Sequence, residues 1–352
     1  MTKMLTPRRL AAAAALALAT ALPASAETAE EFYRGKQVRL VIGYASGSGY
    51  DLYARFLARH MGKHIPGAPA VIAQNMDGAG SLRAANWINA VAPKDGTAFA
   101  GVGSGIPMTP LLGGKGATFH DDKAFTWIGS MNNEVSVCVA WHTAGINTID
   151  EAKTKEMLTG ATALGVDDTT VFPAVANAML GTKFKWITGY RSGNEMNLAM
   201  ERGETQGRCG WAWSSVKATH MDWYKGGQIR LLMQMSLAKH PDLPDLPLIV
   251  DLAHTAEQRQ VLELIFSRQV LGRPFLAPPG LPADRTSALR TAFDATMKDP
   301  EFLAEAEKSQ IEINHPVGGE EAERFMARMY AFPRDVVDLA VKITPQPQAA
   351  AE

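Results

Sequence analysis

The residues with the most chemical content fall in one stretch, Arg39–Met61, "RLVIGYASGSGYDLYARFLARHM". A short apolar run, Leu40–Ile42, meets Gly43, then Tyr44, Ser46, Gly47, Ser48 and Gly49, and then an apolar-periodic segment that begins near Asp51. The order reads as strand, glycine-rich turn and helix start. Glycines let a backbone come close to a ligand, and the unpaired N–H groups at a helix N-terminus favour an anion. Ser46 and Ser48 add hydroxyl groups. Two readings stay open here: the turn holds an anion such as a carboxylate, or the glycines only make a tight turn and Asp51 caps the helix.

Other chemistries lack their parts. A dinucleotide turn needs a third glycine and an acid about 20 residues later. Here Leu52 stands at the third glycine position, and the second strand ends in Gln74-Asn75. No Gly-Lys-Ser/Thr follows the turn, which removes a Walker loop. Ser46, Ser48 and Ser104 lack the glycine two residues upstream that a hydrolase elbow requires. His60 and His64 have metal-compatible spacing without further ligands, so packing or solvated histidines are expected. Trp211 and Trp213, with Tyr44, Tyr50 and Tyr190, read equally well as an aromatic pocket or a buried core. Arg191, after a strand, stands either on the surface or where it grips a carboxylate through two hydrogen bonds. Cys138 and Cys209 either pair or stay buried as free thiols.

The elements that must position these groups alternate. Short β-branched runs and helical patterns succeed one another from Glu30 to Ile128 and again from Trp141 to Gly227, which argues for two α/β units with parallel strands. Thr148 and Glu151 form a capping-box pattern. "VSVCVA" and "IRLLMQM" bracket the second unit and suggest a double-strand hinge, with the cleft between units as the ligand site. After Ala256 the pattern is mostly helical, broken by "LAPPGLP".

The 352 residues are 46% apolar and 20% charged, an ordinary globular composition. "MTKMLTPRRLAAAAALALATALPASA" has a basic start, an apolar stretch and an Ala24-Ser25-Ala26 box, the pattern of a cleavable signal peptide over residues 1–26. Without it, 32 basic residues stand against 36 acidic ones, and no basic stripe interleaves with aromatics, so nucleic-acid binding is disfavoured.

Taken in order, "VRLVIGYASGSGYDLYARFLARHM", "NMDGAGSLRAANWI", "APKDGTAFAGV", "GYRSGNEMNLAMERGETQG", "LAPPGLPADRTSALRTAF" and "KDPEFLAEAEKSQIEI" resemble the periplasmic solute-binding proteins of tripartite tricarboxylate transporters, the Bug family. The resemblance spans roughly Phe32 to Ile343. It implies a type II periplasmic-binding-protein fold, with two α/β lobes joined by a double-strand hinge. Lobe 1 would comprise residues 27–138 and 229–343, lobe 2 residues 139–228, and the tail 344–352 would be disordered. It implies binding without chemistry or cofactor: an organic di-, tri- or aromatic carboxylate is captured in the cleft and delivered by a periplasmic monomer to the membrane subunits of a secondary transporter. An extracytoplasmic hydrolase and a ligand-sensing module are the alternatives. Carried over, the ligand-binding residues are Tyr44, Ser46, Gly47, Ser48, Gly49 and Asp51; Gly78, Ala79 and Gly80; Asp168 and Thr169; and Tyr190 and Arg191. The sequence departs from the family at Gly43–Ser48, where serines replace prolines, and at Arg191, where the family has lysine. These departures, with "GWAW", suggest a larger or aromatic acid. An Arg191 buried against its carboxylate would contribute about 2–4 kcal/mol.

Overall fold

The computed structural model describes residues 27–345. The expected leader lies outside the described residues, as does the tail beyond Pro345. After a short helix, α1 (Ala29–Tyr33), the chain alternates β1 (Gln37–Ile42), α2 (Gly49–Met61), β2 (Ala70–Asn75), α3 (Leu82–Ala90) and β3 (Ala98–Gly101). β1 pairs in parallel with β2 on one side and β3 on the other, as the alternation predicts. α2 buries Tyr53, Phe56, Leu57 and Met61, a helical stripe that packs with Val38 and Leu40 of β1.

Three further strands complete this sheet: β4 (Thr126–Ser130), β10 (Pro274–Ala277) and β11 (Val317–Gly318), giving the order β11-β4-β10-β3-β1-β2. β10 runs antiparallel between β3 and β4, so the sheet is mixed rather than purely parallel. A strand here is not expected from the sequence, and the reason is physical. Its four residues are all buried, so no alternation of exposed and buried positions marks it, and prolines bound it on both sides.

The second sheet takes β5 (Ser136–Trp141), β6 (Met157–Gly160), β7 (Phe184–Ile187), β8 (Gly207–Ala212) and β9 (Ile229–Met235) in the order β7-β6-β8-β5-β9. β6 pairs in parallel with β7 and β8, while β5 is antiparallel to β8 and β9. Between them lie α4 (Ile149–Thr154), α5 (Asp168–Leu180), α6 (Gly193–Glu201), α7 (Trp213–Thr219) and α8 (Met221–Lys225). Thr148 caps α4, but Glu151 reaches back to Asn147 N–H rather than to Thr148. Cys138 of β5 and Cys209 of β8 form a disulfide.

The expected division at 138/139 and 228/229 cuts through paired structure. β5 and β9 bond to each other along their length within the second sheet. The crossings therefore fall at Met131–Val135 and in the return path from 236 to 273. That path includes α9 (Ala256–Phe266) and the turn Ser267–Leu271. Of the C-terminal helices, α10 (Ala283–Thr296) and α12 (Gly319–Tyr330) pack on β4, and α11 (Pro300–Lys308) meets the end of α2 through Glu305 and Asp299, which bond His60 and His64 at 2.8 Å each. The last helix, α13 (Arg334–Ile343), packs on α9 and α5 and so touches the second unit. Thr344, expected in a disordered tail, is buried and donates to the Ala340 carbonyl. Among the described residues no helix is long and apolar enough to cross a membrane, and no group of three or more His, Cys, Asp and Glu is arranged to hold a metal.

Candidate functional site

The two sheets face each other across a cavity of about 60 Å³. That is room for roughly four or five waters, the size of a small aliphatic acid. The aromatic residues around it, the stacked Tyr44–Tyr50 pair (ring centroids 4.6 Å apart) and Trp211, form its walls.

The first wall is built by the glycine-rich loop. Ser48 caps α2, accepting from Asp51 N–H. Asp51 does not cap; its carboxylate accepts from Gly47 N–H at 2.8 Å, from Asn75 at 2.7 Å and from Arg55 at 2.9 Å. Asn75 in turn donates to the Tyr44 carbonyl. Asp51 is thus spent on shaping the loop, and Gly47 N–H with it. The next turn carries four successive residues of positive φ: Gly78 (134°), Ala79 (47°), Gly80 (60°) and Ser81 (76°). Left-handed backbone at Ala79 and Ser81 is costly and persists only where neighbours impose it. Here it sets Gly80 against the Asp167 side chain of the other unit, 3.0 Å from where a Cβ would stand.

The second wall holds the charge. Asp167 caps α5, and its carboxylate accepts from Thr169 N–H and hydroxyl and, across the cavity, from Tyr44 hydroxyl at 2.8 Å. Burial, and then the Asp167 charge, keeps the Tyr44 phenol protonated well above its ordinary range, so it stays a donor. Asp168 meets Arg268 at 3.0 Å and Ser104 at 3.2 Å; burial pushes its carboxyl up to about 6 against the pull of Arg268. Glu134, on the first crossing, pairs with Arg273, on the return path, at 3.2 Å, and Arg273 also donates to Ser214 and Ser215 at the start of α7. Tyr50 and Tyr53 flank the Arg273 guanidinium.

Arg208 of β8 is different. It is buried and lines the cavity, yet it makes no ion pair among the described residues. Its Nη1 donates to the Gly193 carbonyl and to Asn197, its guanidinium lies over Trp211, and its Nε has no partner. Burial lowers its pKa to about 9, so it remains a cation at neutral pH. Its charge, after burial, helps hold nearby His220 down to about 4. Thr162, also on the cavity, has a buried hydroxyl oxygen without a partner. Arg273 Nε on the same lining is likewise without a partner, and a buried polar atom left unpaired costs about 1–3 kcal/mol.

Of the residues singled out from the sequence, Tyr44, Ser48, Gly49, Gly80, Asp168 and Thr169 line the cavity. Ser46, Gly47, Asp51, Gly78 and Ala79 do not line it, although Gly47 accepts from Asn194 of the other unit at 2.8 Å. Tyr190 and Arg191 do not line it. The Arg191 side chain is 68% exposed and, from just before α6, bonds Glu195 in the first turn of that helix at 2.6 Å, a pair that turns it outward. Two arginines line the cavity, Arg208 and Arg273, and the loop-by-loop reading passes over both; Arg208 is the one without an ion pair among the described residues. Its signal is a charged residue inside an otherwise apolar, glycine-flanked strand, "GRCGWA", where a buried charge is rare unless it has a task.

No family model matches the sequence, and no curated protein matches it. Solved structures do match. The periplasmic binding protein BugD is similar over 90% of this chain and 100% of its own, with 19% identity and a TM-score of 0.70. Rpa4515 of R. palustris, solved with adipate, is similar over 89% of this chain and 99% of its own, with 19% identity and a TM-score of 0.68. MatC of Rhodopseudomonas palustris, solved with bound malate, gives 88% and 99%, with 15% identity and a TM-score of 0.65. The chain has the fold of these periplasmic binding proteins: two mixed sheets with helices, facing one another across a ligand-sized cavity.

Proposed function

We propose that the protein is an extracytoplasmic solute-binding protein that captures a small organic carboxylate between its two lobes and hands it to the membrane subunits of a tripartite-type transporter. The observation that carries the reading is Arg208, a buried cation on the cavity wall with no carboxylate at ion-pair distance among the described residues. A guanidinium so placed binds a carboxylate with charge-assisted hydrogen bonds. Hydroxyls of Ser48, Thr162 and Thr169 surround the same space. The adipate and malate in two structural neighbours and the leader sequence support the same reading. Lobe 1 then corresponds to the first sheet, lobe 2 to the second, and the lobes close by bending at the two crossings.

The test is calorimetric titration with small organic acids and their amides, with each mixture afterwards analysed by mass spectrometry. Saturable binding of an acid, none of its amide, and recovery of the acid unchanged are expected. Turnover of the bound acid, or equal binding of the amide, contradicts the reading.

A further inference from the structure

The charge of the cavity narrows the ligand class. The charged residues on its lining are Glu134, Asp167, Asp168, Arg208 and Arg273: three acids and two bases. Arg273 is taken by Glu134, and Asp168 by Arg268 just behind the lining. What remains is one cation, Arg208, and one anion, Asp167; neither has an ion pair at contact distance among the described residues, although the Asp167 charge favours the charged form of Arg208. Asp167 is buried, and its partners are the Thr169 amide and hydroxyl on one oxygen and the Tyr44 hydroxyl on the other. A carboxylate oxygen accepts two hydrogen bonds readily, so Oδ2 has capacity for one more.

We infer that the ligand is a small acid with a single carboxylate and a hydrogen-bond donor, ammonium or hydroxyl, whose carboxylate meets Arg208 and whose donor meets Asp167. The inference rests on the carboxylate-binding reading above and restricts it. A dicarboxylate brings a second negative charge into a cavity whose lining offers no second cation free of an ion pair and already holds Asp167. A buried charge without a partner is strongly disfavoured. A plain monocarboxylate satisfies Arg208 but leaves Asp167 facing apolar carbon. A donor-bearing monocarboxylate satisfies both, and a cavity of about 60 Å³ has room for one of four carbons or so.

Four probes of similar size separate these cases: 2-aminobutyrate, 2-hydroxybutyrate, butyrate and succinate, each titrated into the wild-type protein by calorimetry. One of the first two is expected to bind at least tenfold more tightly than butyrate and than succinate; which of the two wins identifies the donor as ammonium or hydroxyl. In Asp167→Asn the advantage over succinate is expected to shrink to threefold or less. Because Asp167 also caps α5, Tyr44→Phe is the second variant. It frees Oδ2 without touching the cap, so preference for the donor-bearing acid should persist. Succinate or butyrate binding as tightly as the donor-bearing acids in the wild type overturns this inference and leaves carboxylate binding intact. Binding of none of the four overturns both.

Discussion

The two walls of the cavity are made of different material. The wall from the first sheet presents Tyr44, Ser48, Gly49, Tyr50 and Ser104, all neutral, with glycines where it comes closest to the other side. The wall from the second sheet presents Asp167, Asp168 and Arg208, with His220 held neutral behind them. One wall is shaped for close approach and the other for charge. The difference suggests a division of labour: the second wall chooses what binds, and the first closes on it. Bonds from Tyr44 to Asp167, Ser104 to Asp168 and Asn194 to Gly47 join the two walls across the cavity.

The charged wall gives the largest effect. Asp168 titrates near 6 when folded, against an ordinary 3.8, because burial outweighs Arg268; Asp167 and Ser104 are its other neighbours. The folded protein therefore holds this proton more tightly than the unfolded chain, and stability falls as pH rises between about 4 and 6, by up to about 3 kcal/mol from this group. Asp168→Asn removes that slope. Urea titrations of both proteins at several pH values should show the variant gaining on the wild type from pH 4 to 7; parallel curves would remove Asp168 from the account. The neutral wall comes next. A side chain at Gly49 would run into Ser215 of the opposite unit, so Gly49→Val should hold the lobes apart and weaken ligand binding about tenfold, with thermal unfolding of the free protein little changed. Unaltered affinity would mean that the first wall does not close by contact. The smallest effect is expected off both walls. Arg191→Ala removes only an exposed ion pair to Glu195, screened by solvent, and affinity measured by calorimetry should change less than twofold. A larger loss would restore Arg191 to the site.

How much of this was legible in the sequence follows the same contrast. The neutral wall is written in residues with local meaning: glycine, serine and a helix cap signal a turn whatever surrounds them, and Tyr44, Ser48, Gly49 and Tyr50 of that turn line the cavity. Even there, which side chain caps depended on the fold, since Asp51 is drawn away by Asn75 and Arg55. The charged wall depends on pairing between distant residues. Arg208 and Arg191 are both arginines near a strand; Glu195, one helical turn on, turns Arg191 outward, while burial among Trp211, Asn197 and Gly193 keeps Arg208 inside. The alternating pattern fixed β1, β2 and β3, but β10 carried no pattern to find, and the two crossings were displaced because β5 and β9 pair with each other.

The central claim is that Arg208 is the anchor for a ligand carboxylate. Its most direct test is a calorimetric titration of Arg208→Gln and the wild type, side by side, with whichever small organic acid binds the wild type most tightly. Loss of about 2–4 kcal/mol of binding free energy, roughly 30- to 1000-fold in affinity, is the result this account predicts. A variant that folds and binds that acid within threefold of the wild type would contradict it.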